Sequence, residues 1–336
     1  MTVPSDAPRP TIYDVARVAN VSKSLVSLVM QGSPNVSDKR RAAVLKAIVE
    51  LGYAPSKAAA TLAGSRSRGI GVVIDDYRNM WFVDLLDGIR KVMDERGYTV
   101  TVSDRHSSGS VGLDAVSAFL ALHVEGIVVA TEPEGLPLER VSIPTVIAGG
   151  RETHPDAADV VANDDGYGAA LVVEHLVGLG HTRIGHLTGA GGSAARRRIS
   201  YEATMRKHGL EPWVFTADRP IDEQAGYQGA HDLLDTHPET TAIFAANDTM
   251  AFGALGALRE RGLRVPDDMS LVGYDNSPLA ASKYVELTTV DDQSYAVGVE
   301  VATALLARIE DPTLVPRSTL IRPTLIVRTS SARASG

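Results

Sequence analysis

The chain contains no cysteine, so a disulfide framework, a Cys-ligated zinc site and a thiol nucleophile are all excluded. No apolar run approaches the roughly 20 residues that a membrane-spanning helix needs. The opening MTVPSDAPRP has no basic region followed by an apolar stretch, so no secretory signal is legible and a cytoplasmic protein is expected. Neither a G-x-S-x-G elbow nor a Walker lysine occurs, and nothing points to hydrolysis. What is present is a chain of 336 residues, long enough for two or three domains with buried cores.

Acidic residues are scarce in one place only. Residues 1–68 hold ten Lys/Arg against four Asp/Glu, a local charge of +6. The other 268 residues therefore carry −14 of the overall −8. A small basic module joined to an acidic body suggests that the N-terminal part contacts a polyanion. A solvated basic face would show the same count.

Within that module, Thr11 followed by Asp14 resembles a capping box, and Ile12, Val15, Ala16 and Ala19 fall on one helical face. A second helix starts at Ser22 in NVSKSLVSLVMQG (20–32), with Val26, Val29 and Met30 on one side. Lys23, Ser24, Ser27, Leu28 and Gln31 lie on the other. Only Asn20 and Val21 separate the two helices, a turn of helix-turn-helix length. A third helix starts at Ser37, is expected to bury Val44, Leu45, Ile48 and Leu51, and stops at Gly52. Three such helices would also serve a plain compact bundle. The small, polar, positive outer face of the second helix instead suits a major groove about 12 Å wide. Next comes SKAAATLAGSRSR (56–68), a helix-favouring stretch too short to be helical alone, followed by a Gly/Ser/Arg linker. Its Leu62 has the form of a minor-groove wedge.

From TIYDVARVANVSKSLVSLVMQG to APSKAAATLAGSRS the segment resembles, without gaps, the DNA-binding headpiece and hinge of the LacI/GalR family of bacterial transcription regulators. The resemblance implies DNA contacts from Thr11, Ser22, Lys23, Ser24, Leu25, Ser27, Leu28 and Asn35, with Lys57, Ala59 and Leu62 acting in the hinge. The chain departs from the family pattern at Asn20, where Gly is usual, and at Leu25 and Leu28, where Thr and Arg are usual. Asn is the next best residue for a left-handed backbone. Leu28 cannot form the bidentate guanine contact of an Arg but can meet a thymine methyl. An altered operator half-site is expected.

From Gly69 onward strand-like and helix-like segments alternate. Strands are predicted at 70–74, 98–103, 126–130, 144–148, 183–187, 242–246 and 270–274. Helices are predicted near 81–96, 112–122, 166–179, 197–208, 222–235 and 248–262. This rhythm predicts parallel sheets covered on both faces, and the length predicts two similar lobes. Ligands in such folds sit beyond the carboxyl ends of the strands.

NMWF (79–82), LGHTRIGHLTG (179–189), ANDTMAFGAL (246–255), RVPDDMSLVGYDN (264–276) and LTTVDDQSYAVG (287–298) extend the resemblance to the sensor domain of the same regulators. The expected fold class is α/β: an all-α helix-turn-helix headpiece plus a two-lobed, periplasmic-binding-protein-like, doubly wound body. The expected domains are 10–55 (headpiece), 56–68 (hinge helix and linker) and 69–330 (effector binding and dimerisation). The lobes are expected at about 69–160 plus 290–322, and about 161–289. Carried over residue by residue, the resemblance implies an effector site from Trp81, Phe82, Arg197, Ile221, Asn247, Asp275 and Asp292. Ile221 replaces a frequent aromatic and Asp292 a frequent Gln. Asn247–Asp248 also suits a helix cap, Trp81 a core position, and the Arg196–Arg198 run a solvated face. A sugar or sugar derivative is the expected effector, with a nucleoside, a polyol or an amino-sugar also fitting.

Gly189 to Ala194 imitates a dinucleotide fingerprint, but Glu211 and Asp218 have no evident strand before them to place the required acid. His175, His181 and His186 do not share a helical face, so no metal pair is expected, nor any cofactor. A free solute-binding protein would have a leader and no basic headpiece. No leucine heptads follow the last strand, so a homodimer is expected rather than a coiled-coil tetramer. The resemblance implies a repressor, not an enzyme, whose affinity for a near-palindromic operator is set by a small molecule.

Overall fold

The computed structural model describes residues 10–30, 33–53, 67–105, 114–217 and 221–334. The chain divides into two compact units, 1–67 and 68–336.

The first unit is three helices, α1 (Ile12–Val18), α2 (Lys23–Met30) and α3 (Asp38–Leu51). The Asp14 carboxylate accepts from the backbone N–H (3.0 Å) and the hydroxyl (2.8 Å) of Thr11, fixing the start of α1. These bonds and Arg17 hold its pKa down at about 2. Asn20 carries the turn at φ +52°, the left-handed conformation for which Asn is the best side-chain-bearing substitute for Gly. The Ser22 hydroxyl accepts from the Leu25 N–H at 3.2 Å and opens α2. Gly52, at φ +60°, closes α3. Val15, Ala16, Val26, Val29, Val36, Val44 and Ala47 make the core. The expected stripe on α3 needs one correction: Leu45 is 51% exposed, and Ala47 takes its place. The face formed by 44, 47, 48 and 51 is the true i, i+3, i+4, i+7 set, and Leu45 lies about 100° away from Val44.

The second unit holds two six-stranded sheets. In chain order its elements are β1 (Gly69–Ile74), α4 (Trp81–Glu95), β2 (Thr99–Asp104), α5 (Ala115–Ala121), β3 (Gly126–Ala130), β4 (Thr145–Ala148) and β5 (Asp159–Asn163). Then follow α6 (Asp165–Gly178), β6 (Ile184–Gly189), α7 (Gly192–Lys207), β7 (Trp213–Ala217), α8 (Glu223–Thr236), β8 (Ala242–Ala245), α9 (Asp248–Glu260) and β9 (Ser270–Tyr274). The last are β10 (Thr288–Asp291), α10 (Ser294–Glu310), β11 (Ser318–Ile321) and β12 (Thr324–Ile326).

One sheet has the order β2-β1-β3-β4-β5-β11, the other β7-β6-β8-β9-β10-β12. All pairings are parallel except β10–β12. Central strands such as GIVVA are buried at every position because helices cover both faces. Val72 lies opposite Val102 and Val128, and its face of the sheet packs against α4 and α10 through Leu85, Ile89, Val301 and Leu305. The strand order reverses direction at β1/β3 and again at β6/β8. In doubly wound sheets a ligand crevice opens at such points, at the carboxyl ends.

Five strands (β5, β7, β10, β11, β12) and helix α10 were not predicted from the sequence. The chain passes between the sheets after β5, after β10 and after β11. The lobe limits expected at 160/161 and 289/290 therefore fall inside β5 and β10, and the tail from Thr324 rejoins the second sheet. Helix α7 begins at Gly192, five residues before the predicted start: Gly189 ends β6, Gly191 is the N-cap at φ +88°, and the helix runs on through Ser193 to Arg196.

Candidate functional site

On α2 the side chains of Lys23 and Ser24 are exposed and Ser27 is half-buried. Leu28 stands 41% exposed, an isolated large apolar group on a polar face. Thr11 and Asn35 are exposed, and Ser22 is exposed although its hydroxyl is used as the cap. Leu25 is different: it is half-buried and packs on the headpiece core, which commits part of its surface to the fold. Lys57, Ala59 and Leu62 lie outside the described residues. One neighbour was missed from sequence. Tyr13 is 65% exposed, and the Lys23 ammonium sits 5.1 Å from its ring centroid. An aromatic among polar residues on α1 was the available signal.

In the second unit the carboxyl ends of both sheets enclose a cleft of about 500 Å³. Asp75 and Asp76 follow β1, Glu132 follows β3, and Gly149 and Arg151 follow β4. From the other sheet come the turn after β6, Ile221 to Gln224 at the start of α8, Asn247 and Thr249 after β8, and Asp275 after β9. Trp81 and Phe82 enter from the first turn of α4, where the Asn79 side chain accepts from the Trp81 N–H at 3.0 Å. Six of the seven residues expected at an effector site, Trp81, Phe82, Arg197, Ile221, Asn247 and Asp275, thus line one cavity.

Asp292 does not line it. Its carboxylate is fully buried, accepts from the Trp81 indole N–H at 2.6 Å, and accepts from the Ser294 N–H at 3.1 Å at the start of α10. It supports Trp81 from behind. The reason is chain direction: β10 ends at Asp291, so residue 292 already turns inward toward α10.

Arg197 is almost wholly buried. Its Nε donates to Asp165 at 2.8 Å, and its Nη1 donates to the Ala246 carbonyl and to Asp275 at 3.3 Å. Its guanidinium lies 3.5 Å over the Tyr274 ring. Burial works against its charge, but Asp165 and Asp275 outweigh it and hold the group cationic. Asn247 caps α9 by accepting from the Met250 N–H (2.8 Å) and donates to the Ile221 carbonyl (3.1 Å) while facing the cleft. The cap and a place in the cleft lining therefore coincide in one residue. Beneath the cleft Asp248 accepts from the Thr289 hydroxyl and the Ser277 N–H. Burial pushes its pKa up to about 6 despite those bonds. Burial likewise raises Asp292 to about 7 and carries Asp275 well above the usual carboxylate range, against the pull of Arg197.

Sequence reasoning missed Asp75, Asp76, Arg78, Glu132, Arg151 and Asp222, all of which line the cleft. Asp75 and Asp76 directly follow a predicted strand, so the rule about carboxyl ends held the signal. Glu132 and Arg151 lie two and three residues beyond the predicted strands 126–130 and 144–148, so the same rule held their signal too.

Among the described residues no three His, Asp or Glu side chains converge as metal ligands would. His186 is a core residue, stacked on Phe244 with centroids 4.4 Å apart, and burial lowers its pKa to about 3. His181 ties the C-terminal segment down, with its ring nitrogens 2.9 Å from the Thr241 hydroxyl and 3.0 Å from the Ser270 hydroxyl and the Ala332 carbonyl. Contrary to the expectation that no strand precedes Asp218, β7 follows the glycine turn and ends at Ala217, and Asp218 itself lies outside the described residues. That turn instead forms a wall of the cleft.

Comparison with known proteins bears on both units. The pattern of "Bacterial regulatory proteins, lacI family" matches residues 11–56, and that of "Periplasmic binding protein-like domain" matches residues 173–331. An HTH-type transcriptional repressor PurR from Vibrio campbellii is 32% identical over 95% of this chain and 97% of its own length. A crystal structure of a LacI-family transcriptional regulatory protein from Corynebacterium glutamicum is 44% identical, covering 79% of this chain and 98% of that one, with a TM-score of 0.70. The Lac repressor dimer bound to operator and the anti-inducer ONPF is 28% identical over 97% of this chain and all of that one, with a TM-score of 0.82. The relatives are transcription regulators and not enzymes.

Proposed function

The chain belongs to the lacI family of bacterial regulatory proteins, and on that premise we propose that it is a homodimeric repressor controlled by a small polar effector. The DNA-binding unit is residues 10–55, the link is residues 56–68, and the sensor is residues 69–330. In this reading Lys23, Ser24, Ser27 and Leu28 of α2 face the major groove of each half-site. Thr11, Ser22 and Asn35 serve the backbone of the duplex, which positions without specifying. Leu25 contributes through its exposed part, and Lys57, Ala59 and Leu62 act in the link. DNA binding places the protein in the cytoplasm.

The observation that carries this reading is the polar cleft lined by Arg197, Asn247, Asp275 and Trp81, in a chain whose first unit is a helix-turn-helix. Carboxylate, amide and guanidinium groups with an aromatic platform suit a sugar or sugar derivative: paired hydrogen bonds meet vicinal hydroxyls and the ring covers an apolar face. Effector in the cleft favours one relative orientation of the two sheets and so alters the spacing of the two links in the dimer. A ligand shifts that balance only by its differential affinity for the two orientations. Linkage then requires operator DNA to change effector affinity by the same factor. Effector titration with and without operator measures it, and identical affinities refute allosteric control.

A further inference from the structure

The crossings between the two sheets, after β5, after β10 and after β11, all lie at one edge of the second unit. The strands that carry them are neighbours at the end of each sheet, β5 and β11 in one and β10 and β12 in the other. Two bodies joined along one edge swing most at the other, so contacts far from the crossings decide how far the cleft closes. The loop after β4 and the first turn of α7 make such a contact. Arg196 reaches out of α7, and its Nη2 donates to the Arg151 carbonyl at 3.0 Å. The Ser193 hydroxyl donates to the Gly150 carbonyl at 3.4 Å. From sequence the Arg196–Arg198 run suited a solvated face. Instead Arg196 spends its guanidinium on the opposite sheet, and it does not line the cavity.

Two glycines allow the approach. A Cβ on Gly192 would stand 2.7 Å from the Gly150 carbonyl and would strike the Glu132 carboxylate. The carbonyl belongs to backbone on the other side of the cleft, so no change of rotamer relieves that clash. A Cβ on Gly150 would stand 2.8 Å from the Asp165 carboxylate and 3.2 Å from the Arg196 side chain. That carboxylate is the one that accepts from Arg197 at 2.8 Å. Close packing of the loop on α7 therefore bears on the cationic end of the cavity, and packed contacts of this kind have discrete arrangements instead of yielding continuously.

We propose that Arg196, Gly150 and Gly192 form a latch between the two sheets, which sets how far the cleft closes and so regulates the effector site. The regulatory meaning of the latch rests on the reading of the cleft as that site. The test measures closure itself, in the full-length chain. Because the chain has no cysteine, Glu134→Cys and Gln228→Cys place one spin label beside β3 and one on α8, both at exposed positions. Labelled chain is diluted into unlabelled chain so that pulsed electron resonance reads distances within one chain. Loss of one hydrogen bond of ordinary net strength shifts a two-state balance about fivefold, so Arg196→Ala is expected to enlarge a longer-distance population by about that factor. Gly192→Ala, which puts an atom between the sheets, should make the longer distance predominate. If that variant does not fold, Gly150→Ala carries the same test, since Gly150 has no left-handed φ to strain. Arg206→Ala removes another α7 guanidinium, and Gly209→Ala alters a left-handed glycine at the far end of α7 where a Cβ meets nothing. Both should keep the parent distribution. Retention of the parent distribution by Arg196→Ala or by the glycine variant overturns the proposal, as does an equal shift in either control. Operator affinity, measured on a site selected by the parent from a random pool, separates the two ideas. Longer distances without a change in operator affinity refute the regulatory reading and leave the latch standing. Changed operator affinity with unchanged distances refutes the latch alone.

Discussion

Two residues bear the most specific consequences. Leu28 stands exposed on α2 where the family pattern has Arg. A bidentate Arg–guanine pair discriminates by about 1–3 kcal/mol, so Leu28→Arg is expected to change the preferred base in each half-site more than the overall affinity. Selection of operators from a random pool with both proteins checks it, and an unchanged preference removes Leu28 from the reading face. The second residue is Asp292, a buried carboxylate whose pKa is raised to about 7. Because the folded value lies above the unfolded one, the native state holds the extra proton between about pH 4 and pH 7, and stability falls as pH rises through that window. Asp292→Asn keeps an acceptor for the Trp81 indole but has no proton to lose. The variant is expected to gain stability relative to the parent as pH rises from about 4 to 7, to keep that gain near pH 8, and to match the parent only below about pH 4. In a Trp213→Phe background, Trp81 fluorescence should titrate near neutral pH in the parent and stay flat in the variant. Equal pH profiles would contradict this placement of Asp292.

At the scale of elements, legibility followed burial. Strands buried at every position, such as GIVVA and SLVGY, announce themselves as continuous apolar runs. The edge strand β11 is half exposed, and β12 holds only three residues, so neither stands out from a loop. Helix α10 was missed although Val297, Val301 and Leu305 repeat every four residues. Its N-cap residue, Gln293 at φ +62°, makes no side-chain cap, and the carboxylate that meets the Ser294 N–H comes from Asp292, one residue earlier than the usual capping position. The packing of helix pairs was not legible at all. At the α8–α9 crossing, a Cβ on Gly253 would strike the Glu223 carbonyl, and one on Gly226 would strike the Met250 carbonyl. Nothing in the local sequence distinguishes these glycines from Gly178, where a Cβ meets nothing. Overpacking of this kind costs about 1–3 kcal/mol. Gly253→Ala should therefore lower the thermal midpoint, while Gly178→Ala should leave it unchanged or raise it through helix propensity. Thermal denaturation of the two variants side by side decides the matter. Equal midpoints would mean that the helices can separate at no cost.

Across the whole molecule the two units carry opposite charge, +5 over residues 1–67 and −13 over residues 68–336. Phosphate contacts supply a large, salt-dependent share of DNA affinity, and an acidic body is repelled by the same phosphates. Binding must then come from the first unit against the field of the second. The cleft draws its lining from residues between Asp75 and Asp275 only. This separation was legible early, because charge and hydrophobic rhythm both change near Gly69. The geometry of the cleft was not, since it depends on two sheets that the chain enters more than once. Removal of residues 1–64 is accordingly expected to leave effector affinity within about twofold, a difference of roughly 0.4 kcal/mol, and to abolish specific operator binding. The full chain should show operator affinity that drops steeply with salt, and the truncated body should show no salt-dependent specific component. Specific operator binding by the truncated body would mean that the acidic unit reads DNA, against both its charge and the assignment of α2.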